Sequence, residues 1–168
     1  MLNSVEQLFS VPIIVGTVQA DNEALRELIL SHRDNKVLVD HSDPNYEDTY
    51  LPLYNLATNT VIMQVLEDLS NMGEPDLNCT ELWSHIHEKN MSTNWHNHGG
   101  VYAGVYYVSL PEGSGDLIFE RDENQERVKV TPKVGEYIIF PAWLKHAVTR
   151  NQSDDLRISI SFNLELQE

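Results

Sequence analysis

Two pairs of histidines have the spacing of metal ligands. One residue separates His85 from His87, and one separates His96 from His98. Residues two positions apart in a β-strand point to the same face, so either pair presents two imidazoles to one ion. His146, 50 positions after His96, is the candidate for a third ligand from a distant part of the chain. The histidines predict a site that suits Fe(II), Zn(II) or Cu(II).

A second chemical feature lies at Arg157 and Ser159. The segment around them alternates polar and apolar residues, which is typical of a strand with one buried face. A buried guanidinium is costly unless an anion meets it. Asp116 or Glu120 would provide an ordinary ion pair. The other interpretation is that Arg157 and Ser159 receive the far carboxylate of a bound dicarboxylic acid, such as 2-oxoglutarate.

The elements that must position these residues change in character along the chain. A strand at residues 11–18 precedes a helix that Asp21 caps, and a second helix begins near Thr60 and ends at Gly73. A long polar loop covers residues 40–55. Short strands are then predicted at residues 81–87, 104–110, 116–120, 126–131, 137–140 and 157–164. Helices followed by many short strands predict a mainly β fold, a sandwich or jelly roll with helices packed on it.

The chain is long enough for one domain and is strongly acidic. Its 168 residues suit a single domain, with residues 1–78 as the N-terminal strand and supporting helices and residues 79–168 as the jelly-roll core with the metal site. A formal net charge of −15 argues against nucleic acid and anionic membranes as partners. Neither a signal peptide nor a membrane span is visible, and the single Cys79 forms no intramolecular disulfide. We therefore expect a cytoplasmic protein.

The second half of the chain resembles a family of 2-oxoglutarate/Fe(II)-dependent oxygenases that have a double-stranded β-helix and are common in phages and marine bacteria. The resemblance covers residues 82–164 and, more loosely, the N-terminal strand and helix. It depends on the order and spacing of several short motifs: Trp83, His96-Asn97-His98, Gly104-Val105-Tyr106-Tyr107, Gly115-Asp116-Leu117-Ile118-Phe119, Gly135, Phe140-Pro141-Ala142-Trp143-Leu144, His146 with Val148, and Arg157-Ile158-Ser159-Ile160-Ser161-Phe162-Asn163.

This resemblance implies a fold and a metal site. The fold is mainly β with N-terminal helices, a double-stranded β-helix (jelly roll) flanked by two or more helices. His96 and His146 are implied as Fe(II) ligands. His98 is implied as the third ligand, at a position where the wider superfamily has a carboxylate.

The resemblance also implies a co-substrate and a reaction. Arg157 binds the C5 carboxylate of 2-oxoglutarate, with Tyr107 and Ser159 as helpers. The enzyme is a dioxygenase that uses O₂ to hydroxylate a peptide side chain or a small molecule while 2-oxoglutarate is decarboxylated to succinate. A phage-encoded member would act in the host cytoplasm, and a homodimer formed through sheet edges is the assembly to consider.

Two other functions are compatible with the sequence. A cupin-type three-histidine metalloprotein would have the same barrel without using 2-oxoglutarate. Gly135, Pro141 and His146 have nearly the spacing of the second cupin motif, but the glutamate that cupins carry after the first histidine pair is missing from residues 99–103. The third candidate is a non-catalytic jelly-roll module that retains a metal.

Aromatic residues near the histidines are candidates for the wall of a substrate pocket. They are Trp95, Trp143 and Tyr102. The face shared by His85 and His87 is expected to be a half-buried strand face outside the site, because such stripes are common in sheets.

Overall fold

The computed structural model describes residues 10–34, 55–121 and 125–167. Its helices are α1 (Asn22–Asp34) and α2 (Met63–Asn71), and a π-helical segment (Thr58–Ile62) leads directly into α2. The strands are β1 (Ile14–Thr17), β2 (Leu77–His87), β3 (Thr93–His96), β4 (Tyr102–Ser109), β5 (Leu117–Arg121), β6 (Glu126–Val130), β7 (Glu136–Pro141), β8 (Lys145–Val148) and β9 (Arg157–Leu166). The predicted loop at residues 40–55 lies almost wholly outside the described residues.

The strands form two sheets in which every neighbouring pair is antiparallel. The larger sheet has the order β1-β7-β4-β9-β2, and the smaller has the order β3-β8-β5-β6. From β2 onward the chain crosses from one sheet to the other at every connection except the β5–β6 hairpin, which is how a jelly roll is wound. The mainly β, double-stranded β-helix fold predicted from the sequence is confirmed. The N-terminal strand β1 pairs with β7 and so belongs to the larger sheet.

The helices cover the outer face of the larger sheet. The Tyr106 hydroxyl donates to Asn22 Oδ1 at 2.8 Å, and the Tyr137 hydroxyl donates to a carboxylate oxygen of Asp68. Apolar side chains fill the space between these contacts. Among the described residues, no helix combines the length and the hydropathy needed to cross a bilayer.

One face of strand β9 packs against the core beneath the helices, and the other faces the candidate site. Its apolar residues are buried in the cluster beneath the helices; they are Ile158, Ile160, Phe162 and Leu164. The residues between them point to the space between the sheets; they are Arg157, Ser159, Ser161 and Asn163. A second apolar cluster, which includes Ala103, Phe119 and Phe140, fills that space.

Local signals located the ends of the helices well. Asp21 caps α1 by accepting a hydrogen bond from the Ala24 backbone N–H at 3.0 Å. Gly73 follows α2 with φ +87°, the left-handed conformation that glycine adopts most easily. Strands β3 and β8 were not predicted, because four residues are too few to show a clear alternation.

Replacing Ile160 with alanine tests the core beneath the helices. Ile160 is fully buried, so Ile160→Ala should lower the free energy of unfolding by about 2–5 kcal/mol, through lost burial and the cavity left behind. Urea denaturation measures the change. Met63→Ala is the matched control, because Met63 is 60% exposed and should change stability by less than about 0.5 kcal/mol. Equal losses in the two variants would contradict the proposed core.

Candidate metal and carboxylate site

Three histidines meet between the two sheets. His96 ends β3, and its register partner on β8 is His146, so strand pairing brings together two residues that are distant in the sequence. His98 joins them from the loop after β3. Ligand atoms of the three rings all lie within 4.8 Å of one another, a separation that one metal ion can bridge.

The position of His98 depends on loop contacts rather than on a strand. Its backbone N–H donates to the carbonyl of Ala142 at 2.8 Å, and the Asn97 side chain donates to the carbonyl of Trp143 at 3.4 Å. Both acceptors belong to the turn that joins β7 to β8. His96 and His98 therefore converge, although the chain leaves its strand between them.

Backbone carbonyls determine which ring nitrogens of two histidines are free. Nδ1 of His96 lies 2.7 Å from the carbonyl oxygen of Asn94, and Nδ1 of His146 lies 2.8 Å from that of Leu144. A carbonyl oxygen can only accept, so Nδ1 carries the proton in both rings. The Nε2 lone pair of each ring is left for a metal, and the carbonyl holds the ring in orientation.

Burial favours the neutral form of His98 and His146, which is the form that binds a metal. It lowers the pKa of His146 to about 4, against a smaller opposing effect of the hydrogen bond to Leu144. Burial also lowers the pKa of His98, as does His96, while Glu81 opposes the shift. Neutral imidazole is the form that binds metals, so near neutral pH these two rings need not lose a proton first.

Arg157 is buried, and no residue in the described part of the chain forms an ion pair with it. It is 1% exposed, and its Nη1 donates to Ser159 Oγ at 3.3 Å and contacts Nδ1 of His87 at 3.5 Å. The guanidinium carbon lies 5.4 Å from the centre of the Tyr107 ring. Its Nε and Nη2 have no hydrogen-bond partner. Burial lowers the pKa of Arg157, but a guanidinium remains protonated in a protein, so two charged donors are available to an anion.

The ordinary ion pair considered for Arg157 is wrong. A carboxylate oxygen of Asp116 lies 3.2 Å from Lys129 Nζ. Glu120 pairs with Arg127 at 2.7 Å and with Lys145 at 2.6 Å. Within residues 10–34, 55–121 and 125–167, neither carboxylate forms an ion pair with Arg157.

Tyr107 and Ser159 add neutral donors beside this cation. They are register partners on β4 and β9, and both are buried. Burial raises the pKa of the Tyr107 hydroxyl, and the neighbouring Arg157 guanidinium opposes that shift through its charge and its side-chain contact. Tyr106, the neighbour on β4, points to the opposite face, where its hydroxyl donates to Asn22. The choice of Tyr107 over Tyr106 agrees with this alternation.

The structure brings all six predicted site residues to the lining of one cavity; they are His96, His98, His146, Arg157, Ser159 and Tyr107. A group of three imidazoles that suits a metal and a buried cation that lacks an anion line the same space. The donors fit a metal ion together with a ligand that carries a distant carboxylate.

His85 and His87 also line the cavity, which the sequence interpretation missed. In the register of β2 with β9, His85 lies opposite Ser159 and His87 lies opposite Arg157. The indole N–H of Trp83 donates to Nε2 of His85 at 2.7 Å. The expectation of an exposed or half-buried face outside the site was wrong, because His87 is buried and this face turns towards the cavity. The sequence showed that His85 and His87 point to the same face of their strand, but it did not show that β2 pairs with β9.

The expected aromatic wall is only partly present. Trp95 lies under two cations, with Arg127 at 5.0 Å and Lys145 at 5.8 Å from its ring centre. Tyr102 packs against the cluster beneath the helices. Neither residue lines the cavity. Trp143 is 61% exposed on the turn that holds the His98 loop, so it remains a candidate for contact with a substrate.

One known protein family matches the segment of the chain that contains this site. Residues 81–163 match a family model described as "Putative 2OG-Fe(II) oxygenase". The matched segment contains all six residues predicted for the site. Among curated proteins, no sequence matches this chain.

Solved structures share the fold at low sequence identity. The carbocyclase SnoK from nogalamycin biosynthesis, described as a non-heme alpha ketoglutarate dependent enzyme, superimposes with a TM-score of 0.71 at 13% identity, over 92% of this chain and 79% of its own. The epimerase SnoN, in complex with Fe³⁺, alpha ketoglutarate and nogalamycin RO, gives 0.62 at 17% identity, over 92% and 78%. A Pseudomonas putida prolyl-4-hydroxylase gives 0.53 at 15%, over 93% and 88%.

Removing one imidazole tests the metal site. His146→Ala should weaken Fe(II) binding at least about 100-fold, because two of three protein ligands remain and the carbonyl-oriented ring is lost. Metal analysis after anaerobic loading and desalting measures the stoichiometry. His85→Ala is the control, because His85 shares the cavity but not the cluster, and it should keep one equivalent. Stoichiometric iron in His146→Ala would show that the ligand set is wrong.

The buried histidines should also make the metal-free protein sensitive to acid. The pKa values of His85, His87 and His146 are about 4 in the folded state, below the ordinary value of about 6.5. Between these values the unfolded chain binds more protons than the folded one, so the free energy of unfolding should fall as the pH drops from about 6.5 to 4. Urea titrations across this range measure the slope, which should lessen in His85→Asn. An unchanged slope in that variant would contradict the assignment.

Proposed function

We propose that His96, His98 and His146 bind the iron of this 2-oxoglutarate/Fe(II)-dependent oxygenase, whose family model matches residues 81–163, and that Arg157 binds the distal carboxylate of 2-oxoglutarate. The observation that carries this assignment is the buried guanidinium, whose Nε and Nη2 have no partner and which shares a cavity with the three histidines. Such a cation calls for an anionic ligand.

The enzyme uses Fe(II), 2-oxoglutarate and O₂, and its three-histidine cluster suits the metal. Iron held there with 2-oxoglutarate supplies the oxidising chemistry, in which the co-substrate loses CO₂ and becomes succinate. The contribution of the chain is to bind and to orient. The carbonyls of Asn94 and Leu144 hold two imidazoles with Nε2 towards the metal position.

At the other end of the co-substrate, three side chains act together. Arg157 offers two charged donors, and the hydroxyls of Tyr107 and Ser159 lie beside it. Apolar neighbours such as Phe140 and Leu117 complete the lining and keep bulk water from competing for these donors. Charge-assisted hydrogen bonds in a site of this kind are stronger than those exposed to water.

We propose a peptide side chain or a small molecule as the substrate that is hydroxylated. The exposed ring of Trp143, on the turn that holds the His98 loop, is a contact surface for either one. The formal net charge of −15 disfavours a nucleic acid, whose phosphates would be repelled. A cytoplasmic location belongs to this proposal, because a reducing compartment keeps iron ferrous. So does a homodimer through a sheet edge, such as β6 with its exposed Val128.

The buried cation also distinguishes this function from the two alternatives. A cupin that does not use 2-oxoglutarate leaves the unpartnered donors of Arg157 unexplained. A non-catalytic module leaves unexplained why a metal cluster and an anion site occupy one cavity. Succinate formation and oxygen uptake, measured with Fe(II) and 2-oxoglutarate, test the proposal. A folded, metal-loaded protein that does not bind 2-oxoglutarate would overturn it.

Replacing Arg157 tests the carboxylate site separately from the metal. Arg157→Ala should weaken 2-oxoglutarate binding about 100-fold, since it removes charge-assisted hydrogen bonds worth ~3 kcal/mol, while Fe(II) binding changes little. Anaerobic calorimetry measures both affinities. Arg157→Lys keeps the charge without the planar fork and should bind with intermediate affinity. Arg127→Ala, at an exposed ion pair, is the control. Equal losses of metal and 2-oxoglutarate in Arg157→Ala would show that the arginine is structural.

A further inference from the structure

His87 occupies the position beside Arg157 where a buried arginine would ordinarily have a carboxylate. The two residues are register partners on β2 and β9, and both are buried, with 4% and 1% of their surfaces exposed. Nδ1 of His87 lies 3.5 Å from Nη1 of Arg157. A carboxylate there would neutralise the guanidinium, whereas an imidazole does not.

The hydrogen bonds around His87 determine its protonation state. A guanidinium can only donate, so Nδ1 of His87 must accept and carries no proton. The proton is then on Nε2, which lies 2.9 Å from the hydroxyl oxygen of Thr93 and donates to it. The ring is neutral in this arrangement, and burial together with Arg157 lowers its pKa to about 4, in agreement with the geometry.

The backbone of His87 is also held in place. Its carbonyl accepts a hydrogen bond from the side chain of the fully buried Asn151 at 2.9 Å, and a second bond from that amide, to the Asp155 carbonyl, ties the segment just before β9. Thr93 begins β3, the strand that ends at the metal-cluster residue His96. The ring is therefore held by contacts on two sides and presents one lone pair to the guanidinium.

We propose that His87 is a positioning residue for co-substrate binding: as a neutral acceptor it orients Arg157 towards the distal carboxylate and leaves the positive charge of the guanidinium for that carboxylate. This proposal rests on the assignment of Arg157 to 2-oxoglutarate. It adds that the partner of Arg157 at position 87 must be neutral, and that an acidic residue there would weaken 2-oxoglutarate binding strongly.

Three substitutions separate these requirements. His87→Asn places an amide oxygen near the position of Nδ1, so the acceptor is kept and 2-oxoglutarate affinity should stay within about 3-fold of the wild type. His87→Leu removes the acceptor and should lose about 10-fold, the value of one hydrogen bond to a charged group. His87→Asp keeps an acceptor but adds a negative charge, and should lose about 100-fold or more, because it neutralises Arg157 and repels the ligand.

The readout is anaerobic calorimetry on the Fe(II)-loaded protein with two ligands. 2-Oxoglutarate has the distal carboxylate, and 2-oxobutanoate does not. The proposal predicts that the losses appear for 2-oxoglutarate alone, whereas a general loss of packing would weaken both ligands equally. Thr93→Val, which removes the acceptor for Nε2, should show a smaller loss of the same kind. Thr93→Ser should restore affinity, and Thr131→Val, an exposed control just after β6, should have no effect.

The outcomes distinguish this proposal from the assignment on which it rests. If the wild type prefers 2-oxoglutarate over 2-oxobutanoate and Arg157→Ala loses that preference, the carboxylate site stands. His87→Asp that then binds 2-oxoglutarate as tightly as His87→Asn would overturn the role of His87. If the wild type shows no preference between the ligands, the carboxylate site itself is wrong.

Discussion

A positive charge buried without a counter-ion is the constraint on which the rest of the cavity depends. Arg157 is almost wholly inaccessible, yet its neighbours Ser159, Tyr107 and His87 are all uncharged. Among the described residues, Asp116 and Glu120 form ion pairs with other lysine and arginine side chains and not with Arg157. A chain with a net charge of −15 thus contains a local cationic site, and this reversal selects an anionic ligand.

The charge of the three-histidine group also favours an anionic ligand. Three neutral imidazoles leave a bound divalent ion with its full charge, whereas a carboxylate ligand would cancel half of it. 2-Oxoglutarate carries two carboxylates, and in the proposed arrangement the cavity has a cationic group for each, the metal at one end and Arg157 at the other. If His98 is the third ligand, as proposed, the missing carboxylate strengthens the attraction of the metal for the dianion. Burial lowers the pKa values of His98 and His146, so these two rings favour the neutral form and add no competing charge.

Much of this arrangement follows from sequence patterns, and some of it does not. Helix ends at Asp21 and Gly73 depend on local backbone chemistry, so they were predictable to within a residue or two. The alternation along β9 correctly placed Arg157 and Ser159 on an inward face. Strands β3 and β8 were missed because each has only four residues, although they hold His96 and His146 of the three-histidine group.

The sequence by itself determined the residue types, their order and the phase of each strand, because alternation and capping are local properties. It indicated His96, His98, His146 and Arg157 as a group through their similarity to a known pattern. Only the tertiary structure decided what meets Arg157. The register of β2 with β9 places His87 beside it, while Asp116 forms its ion pair with Lys129 rather than with the arginine. Such contacts depend on which strands become neighbours and in which register, and that outcome is set by packing across the whole domain rather than by any segment.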